Sequence, residues 1–208
     1  MTASPLVFLA SRNAKKLEEM DRILAPLVPG VRVVGLDDLA DLGIATYDEP
    51  VEYEPTFAGN ALLKARAGFA ATGLVSVADD SGLCVDALNG MPGVLSARWS
   101  GPPKSDARNN ELLLAQLADV PDERRGGHFR CAVAVVHAGG ELVVEGRMDG
   151  RIRRAVAGSG GFGYDVLFEA DDHPGVTTAE LSREDKDAIS HRGRALRELA
   201  PLLAAVLG

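Results

Sequence analysis

A chain of 208 residues, 46% apolar and 25% charged, is long enough to bury a substantial core, and its composition excludes collagen-like, coiled-coil and disordered architectures. The net charge of −8 argues against a broad nucleic-acid or anionic-membrane surface, which needs clustered Lys and Arg; a single nucleotide needs only a few cations in one pocket and a divalent metal. The opening MTASPLVFLASRN holds a short apolar run without a basic region, and no stretch of about 18 apolar residues occurs, so a cytoplasmic protein without signal peptide or membrane span is expected.

LVFLA at 6–10 is an apolar run of strand length, and Leu17, Met20, Leu24 and Leu27 then share one helical face. Ser11 and Asn13 stand at the junction, where side-chain oxygens can cap a helix whose free N–H groups face an anion. Thr56 reads as the N-cap of FAGNALLKARAGFAA, with Phe57, Ala61 and Ala65 on one face and Gly73 as the stop. VSVAD at 75–79 reads as a strand ending on carboxylates, with LCVDAL close behind and the loop NGMPG after it. SDARNNELLLAQLADV predicts a helix with Leu113, Leu114 and Leu117 inward, and FRCAVAVVH with ELVVEGRM predicts an antiparallel hairpin. YDVLFEA reads as a strand, and a last helix is expected from about Lys186 onward, with Ala195, Leu199, Leu202 and Val206 on one face. These pieces favour one mixed α/β domain whose loops can form a cleft. Cys84 and Cys131 lack zinc or C-x-x-C spacing and read as buried free thiols.

Four local features carry chemistry. Gly158, Gly160 and Gly163 in GSGGFGYD match the spacing of a dinucleotide fingerprint, but that fingerprint must open a helix, and the residues after Gly163 are strand-like. The ordinary reading is a turn; the functional one is a loop that presents the flat face of Phe162 to a nucleobase. Asp79 and Asp80 repel one another unless a cation or donors offset them, although Asp-Asp-Ser-Gly is also a good turn. Glu52 can complete a hard-oxygen metal site with such a carboxylate, and nothing local separates it from Glu49 or Glu54. Lys16 near a helix N-terminus is unfavourable against the dipole and suggests an anion between them, against the ordinary reading of a surface lysine. Lys186, His191 and Arg192 form a donor-rich cluster suited to carbonyl or phosphate oxygens.

Taken together, SRNAKK, TFAGNALLKA, VADDSGL, PGVLSARWSG, GSGGFGYD and AELSREDKDAISHRG resemble, in order and near spacing, the Ham1/RdgB family of inosine triphosphate pyrophosphatases, over residues 7 to about 197. The resemblance implies one ITPase-like domain over 1–208: an elongated mixed sheet flanked by helices, in two lobes with a central active-site cleft, acting as a homodimer. It implies Mg²⁺-dependent hydrolysis of ITP, dITP and XTP to the monophosphate and pyrophosphate, with Mn²⁺ as a possible substitute. By this likeness Ser11, Asn13 and Lys16 take the triphosphate, together with Ala14 and Lys15 of the same turn, and Lys64 lies nearby. Glu52 and Asp80 hold the metal, Asp80 is also the general base with Asp79 as its alternate, and Ser81 touches substrate. Phe162 stacks on the base, Gly163, Tyr164 and Asp165 shape its pocket, and Lys186, His191 and Arg192 read its edge. A donor cluster there suits the 6-keto group of hypoxanthine over the amino group of adenine.

The chain departs from the family pattern in two places. Arg12 stands where many relatives carry glycine, and either adds a phosphate contact or points outward. Tyr164 stands where some carry Trp. Other readings of the residues are a nicotinamide-dependent oxidoreductase using Gly158 to Gly163, a phosphatase with an aspartyl nucleophile at Asp79, and a nucleotide sensor without catalysis.

Overall fold

The run LVFL forms β1 (Leu6–Leu9), whose Val7, Phe8 and Leu9 are all buried. Its continuous apolarity has a topological cause: β1 pairs in parallel with β2 (Arg32–Val34) on one side and β3 (Val75–Val85) on the other. The computed structural model describes residues 5–208, so the opening Met1 to Ser4 of the stretch expected to lack a signal peptide lies outside them. The described strands form one mixed six-stranded sheet in the order β2-β1-β3-β4-β5-β6, with β4 spanning Gly126–His137, β5 Gly140–Ile152 and β6 Phe168–Ala170. Helices α1 (Ala14–Leu24), α2 (Phe57–Thr72), α3 (Asp106–Gln116), α4 (Arg183–Ile189) and α5 (His191–Leu207) complete the mixed α/β architecture that the sequence pattern predicts.

Caps begin where they are expected. The Asn13 side chain accepts from the Lys15 and Lys16 amides, and Thr56 from Gly59; Gly73, at φ +69°, ends α2 in the left-handed conformation that glycine tolerates. Other expectations need correction. α1 stops before Leu27, which is 44% exposed, so the inward face ends at Leu24. VSVAD and the residues after it are a single eleven-residue strand, so Asp79 and Asp80 sit within β3 and no turn forms at Asp-Asp-Ser-Gly. Only Phe168–Ala170 of YDVLFEA is strand, because Tyr164 to Leu167 turn, with the Leu167 amide bonded to the Tyr164 carbonyl. The last helix is two helices: Ser190 is extended (ψ 148°) between α4 and α5, and the buried face uses Leu196 and Leu203 while Leu202 is 43% exposed.

The chain forms two compact units. The first holds residues up to Asp80, 132–146 and 192–208, and buries Val7, Phe8, Leu9, Met20, Leu24, Val77, Leu199 and Leu203. The second holds 81–131 and 147–191, around Leu83, Val85, Leu113, Leu117, Phe129, Met148, Leu167 and Phe168. In it Arg125 is fully buried and donates to the carbonyls of Leu117, Ile152 and Arg153, so its charge is solvated by backbone. Both cysteines are buried, and neither is in a disulfide. Among the described residues no helix is long and apolar enough to cross a membrane.

Candidate active site

In the first unit, polar side chains from three helices and the loop that carries Glu52 converge on β3. Asp79 is 1% exposed; its Oδ1 lies 3.0 Å from Lys16 Nζ of α1, and its Oδ2 accepts from Arg192 at 3.1 Å. Arg192, 2% exposed at the start of α5, also donates to Glu19 Oε2 at 2.6 Å. Lys64, buried on α2, donates to Glu52 Oε1 at 2.5 Å and to the Asp79 carbonyl at 2.7 Å. Burial pushes the Asp79 carboxyl up, but the charges of Lys16, Arg192 and Lys64 outweigh it and hold it well below the ordinary carboxylate range. Burial disfavours the Lys64 ammonium, yet Asp79, Glu52 and Asp80 keep its proton more firmly held than usual.

Asp80 behaves in the opposite way. Burial pushes its carboxyl up, the charge of Lys64 and a hydrogen bond from Asn60 pull down, Glu52 adds its repulsion, and the net direction is up. Asn60 is fully buried; its Nδ2 donates to Asp80 Oδ2 at 3.0 Å and its Oδ1 accepts from the Glu54 amide at 3.0 Å, which ties the acidic loop to β3. Glu52 and Asp80 offer hard carboxylate oxygens whose mutual repulsion a divalent cation would relieve, so this donor set fits Mg²⁺ or Mn²⁺. Among the described residues no cluster of three His, Cys, Asp or Glu side chains stands ready to hold a metal, so water and phosphate oxygens would complete the shell.

Around the β1 to α1 junction, Ser11 Oγ accepts from the Asn13 amide at 3.3 Å, and Ser11, Arg12, Asn13 and Ala14 line a pocket with Leu17, Gly35, Asp37 and Thr46. Lys15 is exposed. Arg12 turns to the neighbouring loop, where its Nε lies 3.0 Å from Glu49 Oε2 and its Nη2 donates to the Tyr47 carbonyl.

In the second unit the stretch 158–165 is a bent loop. A side chain at Gly158 or Gly160 would meet the Ala179 backbone at 2.7 Å, so these glycines permit a close approach of two chain segments. Asp165, also buried, accepts from the Phe162 amide at 2.8 Å, from Thr178 Oγ1 at 2.9 Å and from Lys186 Nζ at 2.5 Å. Lys186 Nζ also lies 5.4 Å from the centroid of the Phe162 ring, and Phe162 is 38% exposed. Tyr164 points inward and donates to the Ser96 carbonyl at 3.0 Å; burial and the charge of Asp106 push its hydroxyl far above the usual range. The His191 ring stacks on Phe129 with centroids 4.9 Å apart. Ser81 is half-buried on β3.

The structure thus gathers Lys16, Glu52, Lys64, Asp79, Asp80 and Arg192 in one unit and Phe162, Gly163, Tyr164, Asp165 and Lys186 in the other. It ties Arg192, which the sequence groups with Lys186 and His191, to Asp79 and Glu19. Sequence reasoning missed Glu19, Asn60, Asp106 and Asn110. One signal existed for Asn110: it shares a helical face with Leu113 and Leu117, a polar residue where an apolar one is expected.

The fold defines the class, a mixed α/β protein on a six-stranded sheet. The sequence profile of the Ham1 family matches residues 7–202, and the chain belongs to that family. It is 61% identical over 202 residues to the dITP/XTP pyrophosphatase of Nocardia farcinica, spanning 96% of this chain and 95% of that one. It is 59% identical to the dITP/XTP pyrophosphatase of Mycolicibacterium paratuberculosis, across 96% of each. The solved structure of the nucleoside-triphosphatase / dITP/XTP pyrophosphatase from Mycobacterium abscessus matches with a TM-score of 0.75 at 54% identity, over 94% of this chain and 99% of that one. That of a HAM1 protein from Coxiella burnetii matches with 0.85 at 36% identity, over 97% and 99%.

Proposed function

We propose that the protein hydrolyses purine nucleoside triphosphates carrying deaminated bases, ITP, dITP and XTP, to the monophosphate and pyrophosphate, and so clears them from the nucleotide pool. Family membership and the dITP/XTP pyrophosphatases among its relatives support the substrate class. The observation that carries the chemistry is the contrast at adjacent positions: Asp79 is held through one oxygen by Lys16 and through the other by Arg192, whereas Asp80 accepts from the neutral Asn60 amide group. A base that must take a proton near neutral pH needs the second environment.

Lys16, Lys64, Ser11 and Asn13, with Ala14 and Lys15 of the same turn, bind the triphosphate. Both lysines are held in the first unit by carboxylates, so their charges are positioned before a substrate arrives. Glu52 and Asp80 would hold Mg²⁺, or Mn²⁺ in its place, and the cation would supply positive charge to offset the phosphates and polarise the reacting groups. Asp80 takes the proton of the attacking water as the water oxygen bonds to the α-phosphorus and the bond to the bridging oxygen breaks, releasing pyrophosphate. Lys16 and Lys64 offset the charge on that leaving group. Asp79, the alternate base, is assigned to holding Lys16 and Arg192.

Phe162 stacks on the purine through the face that Lys186 does not cover, with Gly163, Tyr164 and Asp165 setting the loop and Ser81 close to the substrate. Lys186 and His191 donate to the keto edge. Arg192 could read that edge only by leaving Asp79 and Glu19, so we assign it to fixing Asp79. The two units are read as halves of one domain, because each is assembled from separate chain segments. A cytoplasmic homodimer completes the reading, with light scattering as its test.

Incubation with ITP, XTP, dITP, ATP and GTP plus Mg²⁺, followed by phosphorus NMR, tests the function. Pyrophosphate from the first three alone supports it. Orthophosphate as first product, no turnover, or equal turnover of ATP overturns it. The oxidoreductase reading loses its footing, because Gly158 and Gly160 serve a backbone contact and a turn comes after Gly163.

A further inference from the structure

Helix α3 has no part in the chemistry above, yet it grips the loop that presents Phe162. Asp106 Oδ2 accepts from the Gly163 amide at 2.7 Å, and Asn110 Nδ2 donates to the Gly163 carbonyl at 2.9 Å. The two side chains are four residues apart, hence on one helical face, and together they satisfy both backbone groups of a single residue. That residue has φ +61°, a left-handed conformation that glycine adopts without strain. Its neighbour Phe162 is tied by its own amide to Asp165, so the aromatic position is bracketed on both sides.

The helix is a rigid place from which to hold a loop. Leu113 and Leu117 are fully buried in the core of this unit. Asn109 accepts from the Ser100 amide at 2.8 Å and reaches the carbonyl of Ser96, the same carbonyl that receives the Tyr164 hydroxyl. A carboxylate accepting from a backbone N–H forms the stronger, charge-assisted kind of bond.

We propose that Asp106 and Asn110 are positioning residues for base recognition: by holding Gly163 through both of its backbone groups they set the Phe162 ring for stacking on the purine. This rests on the reading of Phe162 as the base platform. They touch no substrate and act through the ring, so their loss weakens the purine's hold while the hydrolytic centre keeps its rate.

Steady-state kinetics with ITP and Mg²⁺ on Asp106→Ala, Asn110→Ala, Phe162→Ala and the double variant Asp106→Ala/Phe162→Ala test the proposal. The single α3 variants raise KM about fivefold to tenfold with kcat nearly unchanged, the size expected from losing one hydrogen bond. Asp106→Asn, which keeps an acceptor, recovers most of the affinity. In the Phe162→Ala background Asp106→Ala adds little, because its effect passes through the missing ring. Hydrogen exchange in 158–165 accelerates in Asp106→Ala without a change elsewhere in the chain. Asp106 is exposed, so its variants keep the folded chain even where Asn110→Ala does not. An unchanged KM in Asp106→Ala while Phe162→Ala raises it, or a full Asp106→Ala effect without the ring, overturns the α3 role alone. An unchanged KM in Phe162→Ala overturns the base-platform reading, and the proposal falls with it.

Discussion

Asp79 in the first unit and Asp165 in the second are both buried carboxylates bonded to a lysine, and they do different work. Asp79 is surrounded by the cations Lys16, Arg192 and Lys64, from α1, α5 and α2. Asp165 has one cation, Lys186, and otherwise receives a hydroxyl and the amide of Phe162. The first is an electrostatic hub that gathers buried positive charge from three helices. The second is a loop organiser that turns charge into backbone geometry. Charge organises the candidate residues of the first unit and backbone those of the second, so each group should fail in its own way.

The largest expected effect belongs to the first group. Asp80→Asn should lower kcat for ITP by about 100-fold or more, the usual contribution of a positioned base, with pyrophosphate release as the readout; near-normal turnover would remove Asp80 from both of its roles. Next, Asp79→Ala leaves Arg192 and Lys16 without their buried partner and should cost about 3–5 kcal/mol in chemical denaturation. The pH dependence has a definite sign. The Asp79 carboxyl is held down in the folded protein, so its contribution is present above the unfolded carboxylate pKa of about 4 and fades as the pH falls toward the lowered folded value. Asp79→Asn should therefore flatten the acid limb of the stability curve, and an unaltered limb would show that the hub is not held by charge.

In the second group the sensitive element is backbone. Gly158→Ala forces a side chain to within 2.7 Å of the Ala179 carbonyl carbon at φ +76°, a strain of about 1–3 kcal/mol. It should appear as a raised KM with kcat retained; a fall in kcat alone would mean that the loop serves the chemistry. The smallest effect is the control. Arg66 and Glu141 pair at 2.7 Å on the surface, and Glu141→Ala should shift stability by less than about 1 kcal/mol. A larger loss there would mean that burial is not what separates the Asp79 hub from ordinary ion pairs.

Much of the fold was legible in local pattern. The apolar run at β1, the Asn13 and Thr56 caps, the Gly73 stop and the β4–β5 hairpin are short-range features, and each stands where the sequence puts it. β2 was missed because three residues carry no readable period. The break at Ser190 was missed because it depends on one backbone torsion between two helical patterns. Asp-Asp-Ser-Gly has good turn chemistry, but pairing within the sheet keeps it in β3, a case of tertiary context overriding local preference.

For function, the ordered motifs by themselves determined the family, because several short patterns at fixed order and spacing leave little freedom for chance. They also singled out the acidic pair, the two lysines and Phe162 as residues with chemistry to do. Only the tertiary structure decided that Asp79 and Asp80 face opposite environments, that Arg192 reaches back to Asp79 and Glu19, and that α3 holds Gly163. These are contacts between residues 53 to 173 positions apart or the product of burial. Proton affinity and partner choice depend on what surrounds a group in space, and the chain's order along one dimension does not encode that directly.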